Sequence, residues 1–234
     1  MGAVVHVYDD PAAVLAMRLV SLLRGREQAA IAVSGGSTPR RLFRLLATAH
    51  RNAIAWDKLA IFQVDERCVP PEDDQSNWKM LNEELLSKVP DVKAFRLEAE
   101  RDGAAEDYEA VLRREISATN DAGVPILDVV LLGMGPDGHT ASLFPKTAAL
   151  TEEERLMLRN EVPQLDTHRV TMTYPLLKAA EHRWFLVRGA DKAEAFAKAR
   201  NGELPAGALG SVEWFVDASV AQAKDSRKDN KTRK

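Results

Sequence analysis

Asp137 and His139 lie two residues apart in LLGMGPDGHTASLFP, residues 131 to 145, directly after a run of apolar residues. An imidazole titrates near neutral pH and can accept a proton, and a neighbouring carboxylate can orient the ring and support its charged form. Gly138 stands between the two and gives the backbone freedom to direct both side chains into one cleft. The pattern therefore predicts general-base chemistry at His139.

Three glycines in the same segment have the spacing G-x-G-x-x-G, which after a strand can hold a dinucleotide at a helix N-terminus. That alternative requires the third glycine to lead into a helix, and a second strand ending in an acidic residue about 20 residues later. Prolines interrupt the segment, and we predict no strand in residues 147 to 160. We therefore reject a nucleotide site and expect the loop to serve the acid–base pair.

A second candidate site is SGGSTP, residues 34 to 39, which follows the apolar run AAIAV. Its glycines permit a tight turn, Ser37 or Thr38 can cap a helix that Pro39 begins, and amide groups at a helix N-terminus bind anions. No lysine follows the glycines, so this is not a Walker phosphate loop. An ordinary capped turn is the alternative, although the segment has more glycines and hydroxyls than capping requires. The candidate anion-binding residues are Ser34, Gly35, Gly36, Ser37 and Thr38.

Charged residues follow other predicted strands. Asp65 and Arg67 come after the run AIFQV, Arg169 begins RVTMTY, and Lys192 lies where a strand is followed by a helix. An arginine can bind phosphate through two parallel hydrogen bonds, and a lysine binds it as a point charge. Taken singly, such residues are more often solvated surface groups. Together with the hydroxyl-rich loop, they favour a phosphorylated ligand.

The elements that must position these residues are short β-rich runs that alternate with helical patterns along most of the chain. Such alternation predicts βαβ units and a Rossmann-like, three-layer α/β sandwich with a mostly parallel sheet. Ligands of such sheets bind beyond the carboxyl ends of the strands, where the candidate residues stand. The length of 234 residues and the 45% hydrophobic content suit one domain over residues 1–222, and residues 223–234 form a charged tail that we expect to be disordered.

Composition excludes several classes of protein. The formal net charge of -3 argues against a dedicated nucleic-acid binder, and the single cysteine, Cys68, excludes an intrachain disulfide and a multi-cysteine metal site. The N-terminal residues do not form a signal peptide, and no apolar run is long enough to cross a bilayer. We expect a cytoplasmic protein with a small-molecule ligand, without nucleic acid or membrane as a partner.

Four motifs in this order resemble the 6-phosphogluconolactonases over about residues 3 to 220: SGGSTPRRLF, VDERCVPPEDDQSNWKML, LLGMGPDGHTASLFP, and RVTMTYPLL with LVRGADK. The resemblance implies a fold shared with glucosamine-6-phosphate deaminase and ribose-5-phosphate isomerase, and no metal or organic cofactor. In the deaminases a segment of the type FNEP follows the histidine, and a tyrosine follows the aspartate–glutamate pair. This chain has SLFP and Arg67 at those places, and both differences favour the lactonase.

The resemblance implies hydrolysis of 6-phospho-D-glucono-1,5-lactone to 6-phospho-D-gluconate, the second step of the oxidative pentose phosphate pathway, after glucose-6-phosphate dehydrogenase. His139 is expected to activate water and then to protonate the ring oxygen, while Asp137 supports the imidazolium and Arg67 stabilises the oxyanion. Substrate binding is expected at Ser34, Gly35, Gly36, Ser37, Thr38, Asp65, Asn77, Arg169 and Lys192. Which of the three cations contacts the phosphate stays open.

Two alternatives stay open as well. A deaminase or sugar-phosphate isomerase would use Asp65 to move a proton at carbon. A sugar-phosphate sensor on the same fold, as in some transcriptional regulators, would need a DNA-binding module, and we expect no room for a helix-turn-helix before the first strand.

Overall fold

The computed structural model describes residues 3–222, and the predicted tail lies outside this range. Within residues 3–222, ten strands form two sheets. In chain order they are β1 (Val4–Val7), β2 (Ala29–Val33), β3 (Leu59–Gln63), β4 (Asp65–Arg67), β5 (Lys93–Phe95), β6 (Val129–Leu132), β7 (Met157–Val162), β8 (Thr167–Met172), β9 (His182–Val187) and β10 (Glu213–Val216). Seven of them form a parallel sheet in the order β1-β10-β9-β6-β2-β3-β5, and β4-β8-β7 form a small antiparallel sheet.

Helices cover both faces of the parallel sheet. They are α1 (Pro11–Leu23), α2 (Arg40–Ala47), α3 (Asn77–Glu84), α4 (Ala104–Glu115), α5 (Tyr174–Ala179), α6 (Ala193–Ala199) and α7 (Ala218–Ala221). In β2 the side chains of Ile31 and Val33 pack with α1, α2 and α3, whereas Ala32 belongs to the cluster that contains α4 to α7. Because successive side chains of a strand point to opposite faces, both faces of the sheet are buried. The predicted three-layer α/β fold is confirmed.

The small sheet corrects two sequence-based predictions. Residues 147 to 160 were predicted to contain no strand, but β7 begins at Met157. RVTMTY was predicted to be a strand, and it forms β8, which pairs antiparallel with β4 and β7. Asp65 and Arg67 were predicted to follow the strand that contains AIFQV, but they form a strand of their own, since β3 ends at Gln63 and β4 begins at Asp65. The antiparallel sheet exposes alternate residues, so the charged positions in MLRNEV conceal its apolar period.

The order of the strands creates a crevice between β2 and β6. From β2 the chain continues through β3 to β5 at one edge of the sheet. It then returns to β6 on the other side of β2 and continues through β9 to β10. The loops that leave β2 and β6 therefore diverge, which is where parallel sheets bind ligands.

No helix within residues 3–222 has both the length and the apolar character needed to cross a membrane.

Glu84 ties α3 to α2, and these two helices follow loops of the crevice. Its carboxylate accepts hydrogen bonds from Arg40 at 2.9 Å and from Arg44 at 2.6 and 2.7 Å. The hydrogen bonds from Arg44 are the largest cause that lowers the pKa of Glu84, to about 2. These contacts therefore stabilise the folded protein fully at pH values above the ordinary pKa of a glutamate. Their contribution disappears as the pH falls through the pKa that Glu84 has in the folded protein.

We expect Glu84→Gln to lower the free energy of unfolding by about 1 to 2 kcal/mol at pH 7. The deficit should shrink as the pH falls from about 4.5 towards 2, since Glu84 itself becomes neutral there. Urea unfolding at several pH values measures this difference. Glu194→Gln, which removes a solvent-exposed pair with Lys198, is the control and should change little. A deficit that is independent of pH would contradict the assignment.

Candidate active site

A cleft of about 180 Å³ lies beyond the carboxyl ends of the parallel strands. The residues that line it are Ser34, Gly35, Gly36, Ser37, Thr38, Pro39, Asp65, Arg67, Asn77, Gly133, Met134, Gly135, His139, Ala141, Arg169 and Lys192. The structure thus brings together the candidate residues of all four predicted segments. Asp137 is not part of the lining and reaches the cleft through a hydrogen bond to His139.

His139 and Asp137 form a hydrogen-bonded pair after β6. The carboxylate oxygen Oδ1 lies 2.5 Å from Nδ1 of His139 and also accepts the backbone N–H of His139 at 3.1 Å. Partial burial opposes ionisation of Asp137, but its hydrogen bonds and the charge of His139 outweigh burial, so the pKa of Asp137 lies below its ordinary value. A carboxylate at Nδ1 leaves Nε2 as the nitrogen that can exchange a proton with a ligand.

The geometry around this pair explains why two of the neighbouring residues are glycines. Gly138 has φ +80, in the left-handed region that favours glycine. A methyl group on Gly135 would overlap the imidazole of His139 and come within 2.9 Å of the Asp137 carboxylate. Beyond Gly138 the chain forms turns rather than a helix, which is the physical reason why the G-x-G-x-x-G spacing does not build a dinucleotide site.

Glu66, which the sequence analysis did not assign to the site, connects β4 to the start of α3. Its buried carboxylate accepts hydrogen bonds from the backbone N–H groups of Arg67, Asn77 and Trp78 at 2.7 to 2.8 Å. Two side chains, Gln63 at 2.9 Å and Ser76 at 3.2 Å, also donate to it. Burial is the largest influence and raises the pKa of Glu66, although the hydrogen bonds oppose this. Glu66 therefore holds two residues of the cleft, Arg67 and Asn77, in position through their backbone N–H groups.

Three cations converge on the cleft. Arg67 and Arg169 are direct cross-strand partners on β4 and β8, and Lys192 Nζ lies 3.4 Å from the hydroxyl of Thr38. Burial, followed by the charge of Arg67, lowers the pKa of Arg169. Within residues 3–222, none of the three forms an ion pair with a carboxylate. The cleft therefore presents positive charge that an anion can neutralise.

The loop after β2 differs from its prediction in one respect. The helix α2 begins at Arg40, its N-cap is Pro39, and no side chain caps it. Ser37 and Thr38 were predicted to cap this helix, and that prediction is wrong. The N-cap position is occupied by Pro39, whose side chain has no acceptor, and Ser37 and Thr38 line the cleft instead.

Gly35 and Asn77 meet in the cleft at very close range. A methyl group on Gly35 would overlap the side chain of Asn77, so only glycine fits there. The Asn77 amide nitrogen donates to the backbone oxygen of Asp65 at 2.9 Å. This bond turns the other end of the amide, Oδ1, away from Asp65.

Buried polar atoms without a protein partner concentrate in this cleft. Among the described residues five side chains have such an atom, and four of them line the cleft: Ser34 (Oγ), Arg67 (Nε), Asn77 (Oδ1) and Arg169 (Nε). Buried polar groups in native proteins are nearly always paired. Their concentration indicates that a ligand with both donors and acceptors completes the site.

Phe144 and Ser142 also contact residues of the site, and neither was predicted to do so. The ring of Phe144 stacks on His139, and the hydroxyl of Ser142 donates to Asp65 Oδ2 at 2.7 Å. Asn160 in turn donates to the backbone oxygen of Ser142 at 2.9 Å. Ser142 and Phe144 belong to the SLFP segment, but nothing in the sequence indicated which of its side chains would contact the residues of the cleft. Asn160 lies on β7, the strand that was not predicted.

No group of three or more His, Cys, Asp and Glu side chains within residues 3–222 is arranged to hold a metal ion.

We expect Gly135→Ala to displace His139 and Asp137, since the added methyl group has no space beside the imidazole. Gly133→Ala is the matched control, because a methyl group there meets nothing within 4 Å. NMR of the His139 ring nitrogens measures the effect: the signal of the Nδ1 hydrogen bond to Asp137 should change in the first variant and persist in the second. Identical spectra for both variants would show that the turn tolerates the methyl group.

Solved structures with the same fold include lactonases. The crystal structure of 6-phosphogluconolactonase from Leishmania guyanensis matches with a TM-score of 0.85 and 26% identity, covering 96% of this chain and 99% of that chain. A monomeric glucosamine-6-phosphate deaminase matches with a TM-score of 0.78, covering 96% of this chain and 100% of that chain. Its identity is 18%, so it supports the fold alone. The predicted relation to the deaminase fold is confirmed.

Curated relatives are similar in sequence. The 6-phosphogluconolactonase of Treponema pallidum is 38% identical over 201 residues, which are 82% of this chain and 82% of that protein. 6-Phosphogluconolactonase 3, chloroplastic, of Arabidopsis thaliana is 35% identical over 80% of this chain, and the match spans 62% of that longer protein. The family model described as glucosamine-6-phosphate isomerases/6-phosphogluconolactonase matches residues 5–214. The chain therefore belongs to the glucosamine-6-phosphate isomerase/6-phosphogluconolactonase family.

Proposed function

We propose that the protein hydrolyses 6-phospho-D-glucono-1,5-lactone to 6-phospho-D-gluconate, the second step of the oxidative pentose phosphate pathway. The observation that carries the proposal is the convergence of the His139–Asp137 pair with three cations that form no ion pair within residues 3–222. The names of the relatives from Treponema pallidum and Leishmania guyanensis support the same activity. The reaction is the opening of a cyclic ester by water.

His139 acts as the general base. Asp137 occupies Nδ1, so Nε2 takes a proton from water while the water oxygen attacks the lactone carbonyl. The same proton passes from the imidazolium to the ring oxygen as the tetrahedral intermediate collapses and the ester bond breaks. General acid–base catalysis of this kind increases the rate by about 10²- to 10⁴-fold. The lowered pKa of Asp137 supports this role, because its carboxylate stays ionised beside the imidazolium.

The remaining cleft residues bind the substrate. Arg67 and loop amides stabilise the oxyanion, while Asp65 and Asn77 orient the sugar hydroxyls. The phosphate is bound by the SGGST loop, residues 34 to 38, together with Arg169 and Lys192. The contact between Lys192 and Thr38 supports this assignment, since it brings a cation to the hydroxyls of that loop.

The deaminase or isomerase alternative needs Asp65 as a base at carbon. Here Asp65 is 5% exposed and one carboxylate oxygen accepts a hydrogen bond from Ser142. This contact favours an orienting role for Asp65. Release of ammonia from glucosamine 6-phosphate would instead support the deaminase.

We expect the substrate to come from glucose-6-phosphate dehydrogenase, whose product is the lactone. A cytoplasmic location, and the absence of nucleic acid and membrane as partners, remain predictions from composition.

We expect His139→Gln to lower kcat by about 10²-fold or more, because the base is lost. The lactone is generated in situ from glucose 6-phosphate and its disappearance is followed by NMR, with spontaneous hydrolysis subtracted. His168→Gln is the matched control, since His168 is an exposed histidine on β8. Wild-type protein that binds sugar phosphates without accelerating hydrolysis would exclude the lactonase. An active His139→Gln variant would remove His139 from the mechanism.

We expect Lys192→Ala to raise KM for the phosphorylated lactone by about 10- to 100-fold, the effect of losing a hydrogen bond to a charged group. Hydrolysis of unphosphorylated glucono-1,5-lactone should change little. Lys198→Ala removes an exposed lysine of α6 and serves as the control. The ratio of kcat/KM for the two lactones is the measurement, and equal losses on both would refute a phosphate role for Lys192.

A further inference from the structure

Phe144 contacts the base and a cation of the cleft at the same time. Its ring centroid lies 4.0 Å from that of His139, with 25° between the two planes. The guanidinium carbon of Arg169 lies 5.8 Å from the same centroid, within the range of a cation–π contact. Phe144 itself is 3% exposed. None of the roles assigned above to the catalytic and binding residues uses this ring.

A tight turn brings Phe144 back to His139. Thr140 and Leu143 form an isolated bridge, and the backbone N–H of Leu143 donates to the oxygen of Thr140 at 2.9 Å. Ala141 within this turn has φ 51, the left-handed conformation that residues other than glycine rarely adopt. A backbone conformation with this cost indicates that the return of Phe144 is specified by the fold.

The contacts of Asp137 and Phe144 with the imidazole are complementary. The carboxylate holds one edge of the ring at Nδ1, whereas the phenyl ring covers its face. An aromatic face attracts a cation because its quadrupole is negative there. When His139 accepts the proton of water it becomes such a cation. The stacked ring therefore acts most strongly on the protonated form of His139.

We propose that Phe144 is a positioning residue of this active site: its ring fixes the plane of the His139 imidazole and stabilises the imidazolium that forms during hydrolysis. The proposal rests on the proposed function, in which His139 is the general base. The charged groups that share the cleft with His139 are Asp65 and Arg67 on β4, Arg169 on β8 and Lys192 before α6, and Asp137 lies on its own loop. All of these charged residues are retained in the variants below, so a difference between the variants measures the effect of the Phe144 ring.

The first variant is Phe144→Leu, which keeps an apolar side chain and removes the aromatic face. We expect kcat to fall roughly 2- to 30-fold, the range of a cation–π contact converted to a rate. The acid limb of the kcat/KM profile should move to lower pH by roughly 0.4 to 1.5 units, since the imidazolium loses its stabilising partner. A purely structural role would lower stability without moving this limb.

Two further variants complete the test. Phe144→Tyr retains the aromatic face and should restore the position of the acid limb. Leu143→Val alters a fully buried neighbour in the same turn and should leave the limb in place. Thermal unfolding identifies which variants are folded. A folded Leu variant with the wild-type acid limb, or a folded Tyr variant no better than the Leu variant, overturns the proposal.

A second measurement separates this proposal from the proposed function. The His139 imidazole is titrated by NMR in wild type and in Phe144→Leu, without substrate, and its signal is assigned by comparison with His139→Gln. We expect the titration midpoint to be lower in the Leu variant. A lower midpoint in a protein without lactonase activity would retain the role of the ring and reject the reaction. An unchanged midpoint in an active enzyme would retain the reaction and reject the role of the ring.

Discussion

The parallel pairing of β2 with β6 is the constraint on which the cleft depends. Val33 lies opposite Leu131 in the register, and the backbone N–H of Ser34 donates to the oxygen of Leu131 at 2.9 Å. This hydrogen bond holds the beginning of the SGGST loop beside the end of β6. The chain then turns away from β2 and β6 in opposite directions, so the two loops cannot close over each other. The small sheet is anchored beyond the end of the neighbouring strand β3, since Met172 donates its backbone N–H to the oxygen of Val64 at 2.8 Å.

The second organising feature is how the cations and carboxylates of the site are partnered. Glu66 is buried beside Arg67, yet its carboxylate is occupied by five donors that connect β4 to α3. Asp137 is occupied by His139, and Asp65 by Ser142. Each carboxylate near the cleft thus has a structural partner. The cations accordingly keep their charge available for an anionic ligand, whose attraction to them is stronger in a partly buried cleft than in bulk water.

Much of this could be predicted from the sequence, because alternating strand and helix patterns determine which junctions lie at the carboxyl edge. The positions of Asp137, His139 and the SGGST loop at that edge were predicted in this way. The small antiparallel sheet was not, since MLRNEV carries charge on its exposed face and three residues of β4 are too short to show a period. Contacts such as Phe144 on His139 depend on the left-handed turn at Ala141, and no local pattern indicates that conformation in an alanine.

The unpaired atoms of the cleft connect its energetics to its function. A buried polar group without a partner costs about 1 to 3 kcal/mol, and four of the five such side chains in residues 3–222 line this one cleft. The clusters of buried hydrophobic side chains on the two faces of the sheet stabilise the fold that holds these atoms in place. A ligand that forms hydrogen bonds to these atoms removes this cost when it binds. The same atoms therefore contribute to affinity and discrimination, because a ligand that lacks the matching hydrogen-bonding groups leaves them unpaired.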